Sequence, residues 1–370
     1  MRDRQMAMTA AETVTADHGP LEGDRSGRAR LVIAGLSVLL ILAILLALMT
    51  GPTGLASFDA LLGILTGRES EGPMAMRDRI ILADIRFPRM VVGVFIGAGL
   101  AVSGVLMQGL FRNPLADPGI VGVSSGAGLG AALMIVAGSW LPAGLMASLG
   151  ILALPFAAFL GGLAATALLY RIGTRGGYTD VATMLLAGIA VAALAQAAIG
   201  LLIFTADDRQ LRDINFWLLG SLAGATTDKI LMCAPVIAAV LASMPFMARG
   251  LNALVLGEAA AGHLGIPVQR LKRLSIVAVA AATGAGVAVS GGIGFVGIVV
   301  PHLLRLTIGP DHRYLLPASA LLGASLLLFA DTVARTIVTP AELPIGILTA
   351  LAGAPFFLWI LLTRRGFALR

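Results

Sequence analysis

The chain has 370 residues, 58% of them hydrophobic and 12% charged, with a mean hydropathy of +0.94 and a formal charge of +6. A soluble domain carries about 25% charged residues, so this composition excludes an ordinary soluble enzyme. The apolar runs are continuous rather than alternating, which excludes a β-barrel and leaves an all-α polytopic protein in contact with a lipid bilayer.

In chain order, residues 1–30 are polar, with five arginines and five acids, and read as a disordered cytoplasmic tail. The first apolar run starts at Leu31, too far in for a cleaved leader. Runs near the roughly 20 residues that cross a bilayer core predict about ten spans: 31–49, 90–110, 119–137, 150–170, 181–203, 229–247, 274–290, 293–308, 315–332 and 344–363. The seventh and eighth meet at Ser290-Gly291-Gly292, a break tolerable only inside protein or against a water-filled path. Small residues four apart, Gly93 with Gly97 and Gly122 with Gly126 and Gly130, suit close helix packing in lipid.

An even number of spans puts both termini on one side. With the termini cytoplasmic, Lys and Arg divide 17 inside to 9 outside, accounting for the 26 present, and the excess favours this orientation. Gly97–Gly104 reads GAGLAVSG and Gly284–Gly291 reads GAGVAVSG. The copies lie five spans apart, so they cross in opposite directions, as in an inverted repeat pairing spans 2–5 with spans 7–10.

The residues offer little chemistry. Neither lysine, Lys229 or Lys272, stands in a phosphate-binding GxxxxGK[ST] loop. The four histidines lack metal-ligand spacing, and the single Cys233 lies in an apolar run as a packing residue. No Lys/Arg–aromatic interleaving points to nucleic acid. No span carries a carboxylate near its middle, though Asp331 ends the ninth. An ion-coupled secondary carrier, the alternative class, needs an intramembrane ion site, so the driving energy is expected from elsewhere. The longest internal cytoplasmic loop, 248–273, has helical spacing at Leu251, Leu254, Val255 and Glu258, then Ala259–His263 and a stop at Gly265-Ile266-Pro267. Two short amphipathic helices fit it, as membrane-surface elements or as a dock where small residues admit a partner.

The segments RFPR (86–89), LAVSGVLMQGLFRNPLADPGIVGVSSGAG (100–128), GEAAAGHLGI (257–266), GIGFVGIVVPHLLR, PDHRYLLPASALLGA and ELPIGILTALAGAPFF together resemble the FecCD permease family. These are membrane subunits of ABC importers for iron-siderophores, haem and cobalamin. The resemblance spans about residues 31–365, which implies one ten-span permease domain. It implies a homodimer in the bacterial inner membrane, with two cytoplasmic ATPase subunits and a periplasmic binding protein. This chain is then not an enzyme and binds no cofactor of its own, ATP and magnesium belonging to the ATPase. The resemblance places the ATPase-coupling loop on Leu251, Leu254, Gly257, Glu258, Ala260, Gly262, His263 and Gly265. It places binding-protein docking on Arg86, Arg89 and Arg335, and cytoplasmic gates on Asn113 with Leu115 and Val181 with Ala182. The second gate pair lacks the small polar residues of cobalamin permeases. The segment Asp208–Ala225 has the QLR-x-x-x-FW-x-x-GSL form of haem-type permeases, with Arg209 and Arg212 near the outer mouth. Haem is therefore the expected cargo, ahead of a ferric siderophore.

Overall fold

The computed structural model describes residues 25–51, 73–339 and 341–363. The expected tail lies outside these residues except for its last part, which is not tail but the start of the first long helix.

The described chain is almost entirely helical. The long helices are α1 (Ser26–Met49), α3 (Phe87–Leu110), α4 (Val123–Ala137), α6 (Ala153–Gly173), α7 (Val181–Thr205), α9 (Thr227–Leu254), α11 (Val268–Ser290), α12 (Val296–Ile308), α13 (His312–Ala334) and α14 (Ile345–Thr363). Between them lie the shorter α2 (Pro73–Ile80), α5 (Ala143–Leu149), α8 (Asp208–Leu219) and α10 (Glu258–His263). The hairpin of β1 (Thr174–Arg175) and β2 (Tyr178–Thr179) joins α6 to α7. Every predicted span coincides with a helix. Eight helical stretches among the described residues are long and apolar enough to cross a membrane, while α12 and α14 are shorter apolar helices.

Boundaries differ where charge interrupts an apolar run. The second span, expected from residue 90, is the end of a helical rod that starts at Pro73 and passes through a π-helical turn at Ile81–Arg86. The sixth span does not stop near residue 247; α9 continues to Leu254, with Pro235 and Pro245 inside it. Thus loop 248–273 contains one short helix, α10, rather than two. Its first expected helix is the tail of α9.

α3 is the centre of the bundle, buried along nearly its whole length. It packs against α9, α11, α12 and α13. Two approaches need glycine: a Cβ on Gly97 would strike the Gly323 carbonyl in α13, and one on Gly104 would strike the Gly297 carbonyl in α12. The pairings follow the repeat. α3 packs on α12 and α13, while α11 packs on α4 and α6, as an exchange of spans 2, 8 and 9 with spans 7, 3 and 4 requires. The break after α11 is inside protein. Ser290 O accepts from Ser221 N at 2.7 Å, and Gly291 presses on the Trp217 carbonyl at the end of α8. The backbone polar groups that leave the helix therefore find partners.

Candidate functional site

α3 separates two polar clusters. Its 24 residues rise 1.5 Å each, so they stand about 35 Å apart.

At the N-terminal end of α3, Arg89 lies between two carboxylates. Its Nε donates to Asp331 at 3.0 Å, and its Nη1 contacts Glu342 Oε2 at 2.9 Å. Arg335 adds a 3.5 Å contact to Asp331 and donates to Ala47 O at 2.6 Å. Arg86 Nη1 donates to Leu48 O at 2.7 Å and Met49 O at 2.8 Å. The last carbonyls of a helix have no partner within it and carry the negative end of its dipole. Two arginines therefore cap α1 and tie it to α3 and α13. Arg86, Arg89 and Arg335, the residues expected to dock a binding protein, are 3%, 8% and 3% exposed in this chain. A guanidinium drawn into apolar surroundings needs carboxylates or carbonyls around it, and this chain supplies them itself. Asp331 is likewise committed to its arginines.

At the other end, α9 runs out at Leu254 and the chain turns through Gly257, whose φ of 105° favours glycine, into α10. Leu251 and Leu254 are 0% and 1% exposed. They anchor the loop from the buried face of α9, which extends into it. Glu258, Gly262, His263 and Gly265 are exposed, and Gly257 and Ala260 are half-buried. Val255, Leu256 and Leu264 are exposed beside them. This is a small, partly apolar knob with open space over Gly262 and Gly265.

Beneath the knob lies a contact that sequence reading missed. Lys272, on the first turns of α11, is 2% exposed. Its Nζ reaches Glu258 Oε1 at 2.7 Å and donates to Thr179 O at 2.9 Å. Thr179 N donates to Gln269 Oε1 at 3.1 Å. The next residue, Asp180, caps α7 by accepting from Ala182 N and Thr183 N, each at 3.2 Å. Hydrogen bonds from the Thr183 side chain and backbone hold its carboxyl below the usual carboxylate range. A cavity of about 480 Å³ lies among these parts, lined by Phe111, Arg112, Tyr178, Asp180, Glu258 and Lys272. Ala182 lines it too, and it begins α7 together with Val181. Asn113 caps the neighbouring turn by accepting from Leu115 N at 3.0 Å. The two expected gate segments thus sit beside one cavity, although their four residues do not all line it.

A second missed cluster ties α9 to α13. Asn252 donates to Asp311 Oδ1 at 2.7 Å, and its Oδ1 lies 2.9 Å from the accepted His312 N and 2.8 Å from His312 Nδ1. Burial pushes the Asp311 carboxyl up, but hydrogen bonds from Arg313 and Asn252 outweigh it and bring it down to about 2. A signal was available in sequence: Asp after Gly-Pro is a helix cap. Its partner 59 residues away was not readable.

Arg209 and Arg212 are exposed on α8. That helix is amphipathic and opened by an Asp207–Gln210 capping box. Among the described residues neither arginine has a carboxylate within 4.0 Å.

A family model described as the FecCD transport family matches residues 39–363. The chain is 48% identical to the hemin transport system permease protein HmuU of Yersinia pestis, over 77% of this chain and 84% of that one. It is 46% identical to the cobalamin import system permease protein BtuC of Halobacterium salinarum, over 77% and 74%. It is 35% identical to the vitamin B12 import system permease protein BtuC of Klebsiella pneumoniae, over 92% and 96%. An inward-facing solved structure described as a metal-chelate type ABC transporter superposes with a TM-score of 0.78 at 32% identity, covering 90% of this chain and 99% of that one.

Proposed function

This chain belongs to the FecCD transport family and is a transmembrane ABC-importer permease, and from that premise we propose that it carries haem across the bacterial inner membrane. It works as a homodimer with both termini cytoplasmic, by alternating access. A separate pair of ATPase subunits binds ATP and magnesium, and a periplasmic binding protein delivers the cargo. The ATPase meets the knob at Gly257–Gly265, and its motion tilts the helices beside the cavity at Asn113–Leu115 and Val181–Ala182.

The observation that carries the haem reading is α8. Its two exposed arginines, without a carboxylate in reach among the described residues, stand on an amphipathic helix whose C-terminal end braces the break between α11 and α12. Haem carries two propionates, and exposed basic residues raise the capture rate of an anionic ligand. Similarity to HmuU supports the same cargo. Because Arg86, Arg89 and Arg335 are spent inside the chain, a binding protein is expected to meet the exposed residues around them, with α8 among these.

The test is uptake into proteoliposomes holding this chain, its ATPase and its binding protein. The reading expects haem accumulation that requires ATP. Uptake of cobalamin or a ferric siderophore in place of haem overturns the cargo, and uptake without the ATPase overturns the class.

A further inference from the structure

We propose that Lys272 is the positioning residue that carries motion from the ATPase-facing helix to the cytoplasmic gate. The proposal rests on the reading of Gly257–Gly265 as the ATPase dock, and it names the link between that dock and the path.

The geometry is specific. Lys272 is a nearly fully buried cation on α11, yet its two contacts lie on different segments. One is the first residue of α10; the other is the last residue of the hairpin that leads into α7. Remove Lys272 and, among the described residues, no other hydrogen bond or ion pair joins α10 to that hairpin. A buried ammonium must keep partners, because leaving it bare costs far more than a neutral group. When α10 moves, Lys272 therefore either follows Glu258 and draws Thr179 with it, or gives up one of its contacts.

The two ends of the link differ in a way that gives it direction. Glu258 is 42% exposed on its side chain, at the surface where a partner bears. Thr179 is 4% exposed and locked in place. Its hydroxyl lies 3.1 Å from that of Thr174, and Asp180 N donates to Gly173 O at 2.8 Å. Gly176 and Gly177, both at positive φ, close the hairpin as a tight turn. The hairpin is thus a stiff lever on the N-terminus of α7. Gln269, one turn before Lys272 on α11, holds the other backbone group of the same residue through Thr179 N. Together the two side chains of α11 grip the backbone next to the gate, and only Lys272 also holds α10.

The experiment compares Lys272→Met, Lys272→Arg and Gln269→Leu in the assembled transporter. It measures co-purified ATPase, ATP hydrolysed and cargo moved. A second readout is the distance between spin labels at Tyr178→Cys and His263→Cys, both exposed positions. For Lys272→Met the expected result is normal ATPase recovery and hydrolysis, but about tenfold less cargo per ATP, the factor one charge-assisted hydrogen bond represents. The label distance should broaden, and Lys272→Arg should restore most of the ratio. Gln269→Leu should lower the ratio in the same direction and covers the case in which Lys272→Met fails to assemble. Wild-type cargo per ATP in either assembled α11 variant, Lys272→Met or Gln269→Leu, overturns the proposal. The docking premise fails separately, by absence of cross-linking between His263→Cys and the ATPase in an otherwise wild-type complex.

Discussion

The two ends of α3 use charge in opposite ways. At the Arg89 end three arginines and two carboxylates close on one another and on the last carbonyls of α1, and only Glu342 keeps substantial exposure, at 32% of its side chain. At the Lys272 end a buried cation is paired with a half-exposed carboxylate on a knob that projects from the bundle. The first joins segments more than two hundred residues apart and the second joins neighbouring segments, and the carboxylate of the second stands on the exposed knob. A closed network holds helices at a fixed spacing; an open one lets force enter. The comparison teaches that the presence of arginine near a helix end does not identify a docking surface, and that the partner of each charge decides it.

The largest expected effect comes from breaking the closed end. Arg89→Leu leaves Asp331 and Glu342 without their main cation, and losing one member of a buried pair costs about 3–5 kcal/mol. Thermal unfolding in detergent should show a strong loss of stability, with Arg89→Lys intermediate because a point charge cannot fork to both carboxylates. Unchanged unfolding would show that the cluster holds nothing.

Next is Glu258→Arg at the open end. It sets a second cation against Lys272, where the wild-type pair lies at 2.7 Å. Like charges opposed at a contact cost several kcal/mol, so ATP-driven uptake should fall by about tenfold or more, with a smaller loss in unfolding than Arg89→Leu gives, because Glu258 is half-exposed and its replacement can swing into solvent. Equal losses of stability at both ends would erase the distinction between them.

Asn252→Ala sharpens the comparison. It removes the acceptor of His312 and the donor to Asp311 and should cost about 1–3 kcal/mol through unpaired buried groups. Because it joins two helices without touching the knob, the loss should appear in unfolding more than in cargo per ATP. The smallest effect is expected for Arg209→Glu with Arg212→Glu. Haem uptake at low salt should drop severalfold, and the deficit should shrink as salt rises, since exposed charges are screened within about 8–10 Å.

Most of the bundle was legible in the sequence, because apolar runs of bilayer length allow only helices and each predicted span has its helix. The repeated GAGxAVSG segments foretold the exchange of pairings around α3 and α11. The glycines that let α3 touch its neighbours were also visible, although Gly97 was readable as a close approach and Gly323 was not. What failed was the fate of charge. Arg86 and Arg89 read as the end of a span, whereas the helix continues through them because Arg86 finds the last carbonyls of α1 and Arg89 finds Asp331 and Glu342, more than two hundred residues ahead. Leu251 and Leu254 had the spacing of a surface helix, but that spacing belongs equally to the buried face of a longer one, and only the length of α9 decides. Lys272 stood among Arg270 and Arg273 and read as one more loop cation. Nothing local distinguished the residue that turns inward.

The central claim is that force enters at the open end and not at the closed one. Hydrogen exchange of this chain, measured alone and with its ATPase under ATP, tests it directly. The account predicts new protection across Gly257–Gly265 and in the hairpin at Tyr178–Thr179, with exchange around Ile81–Arg89 unchanged. Protection at the Arg89 end with none at Gly257–Gly265 would contradict it.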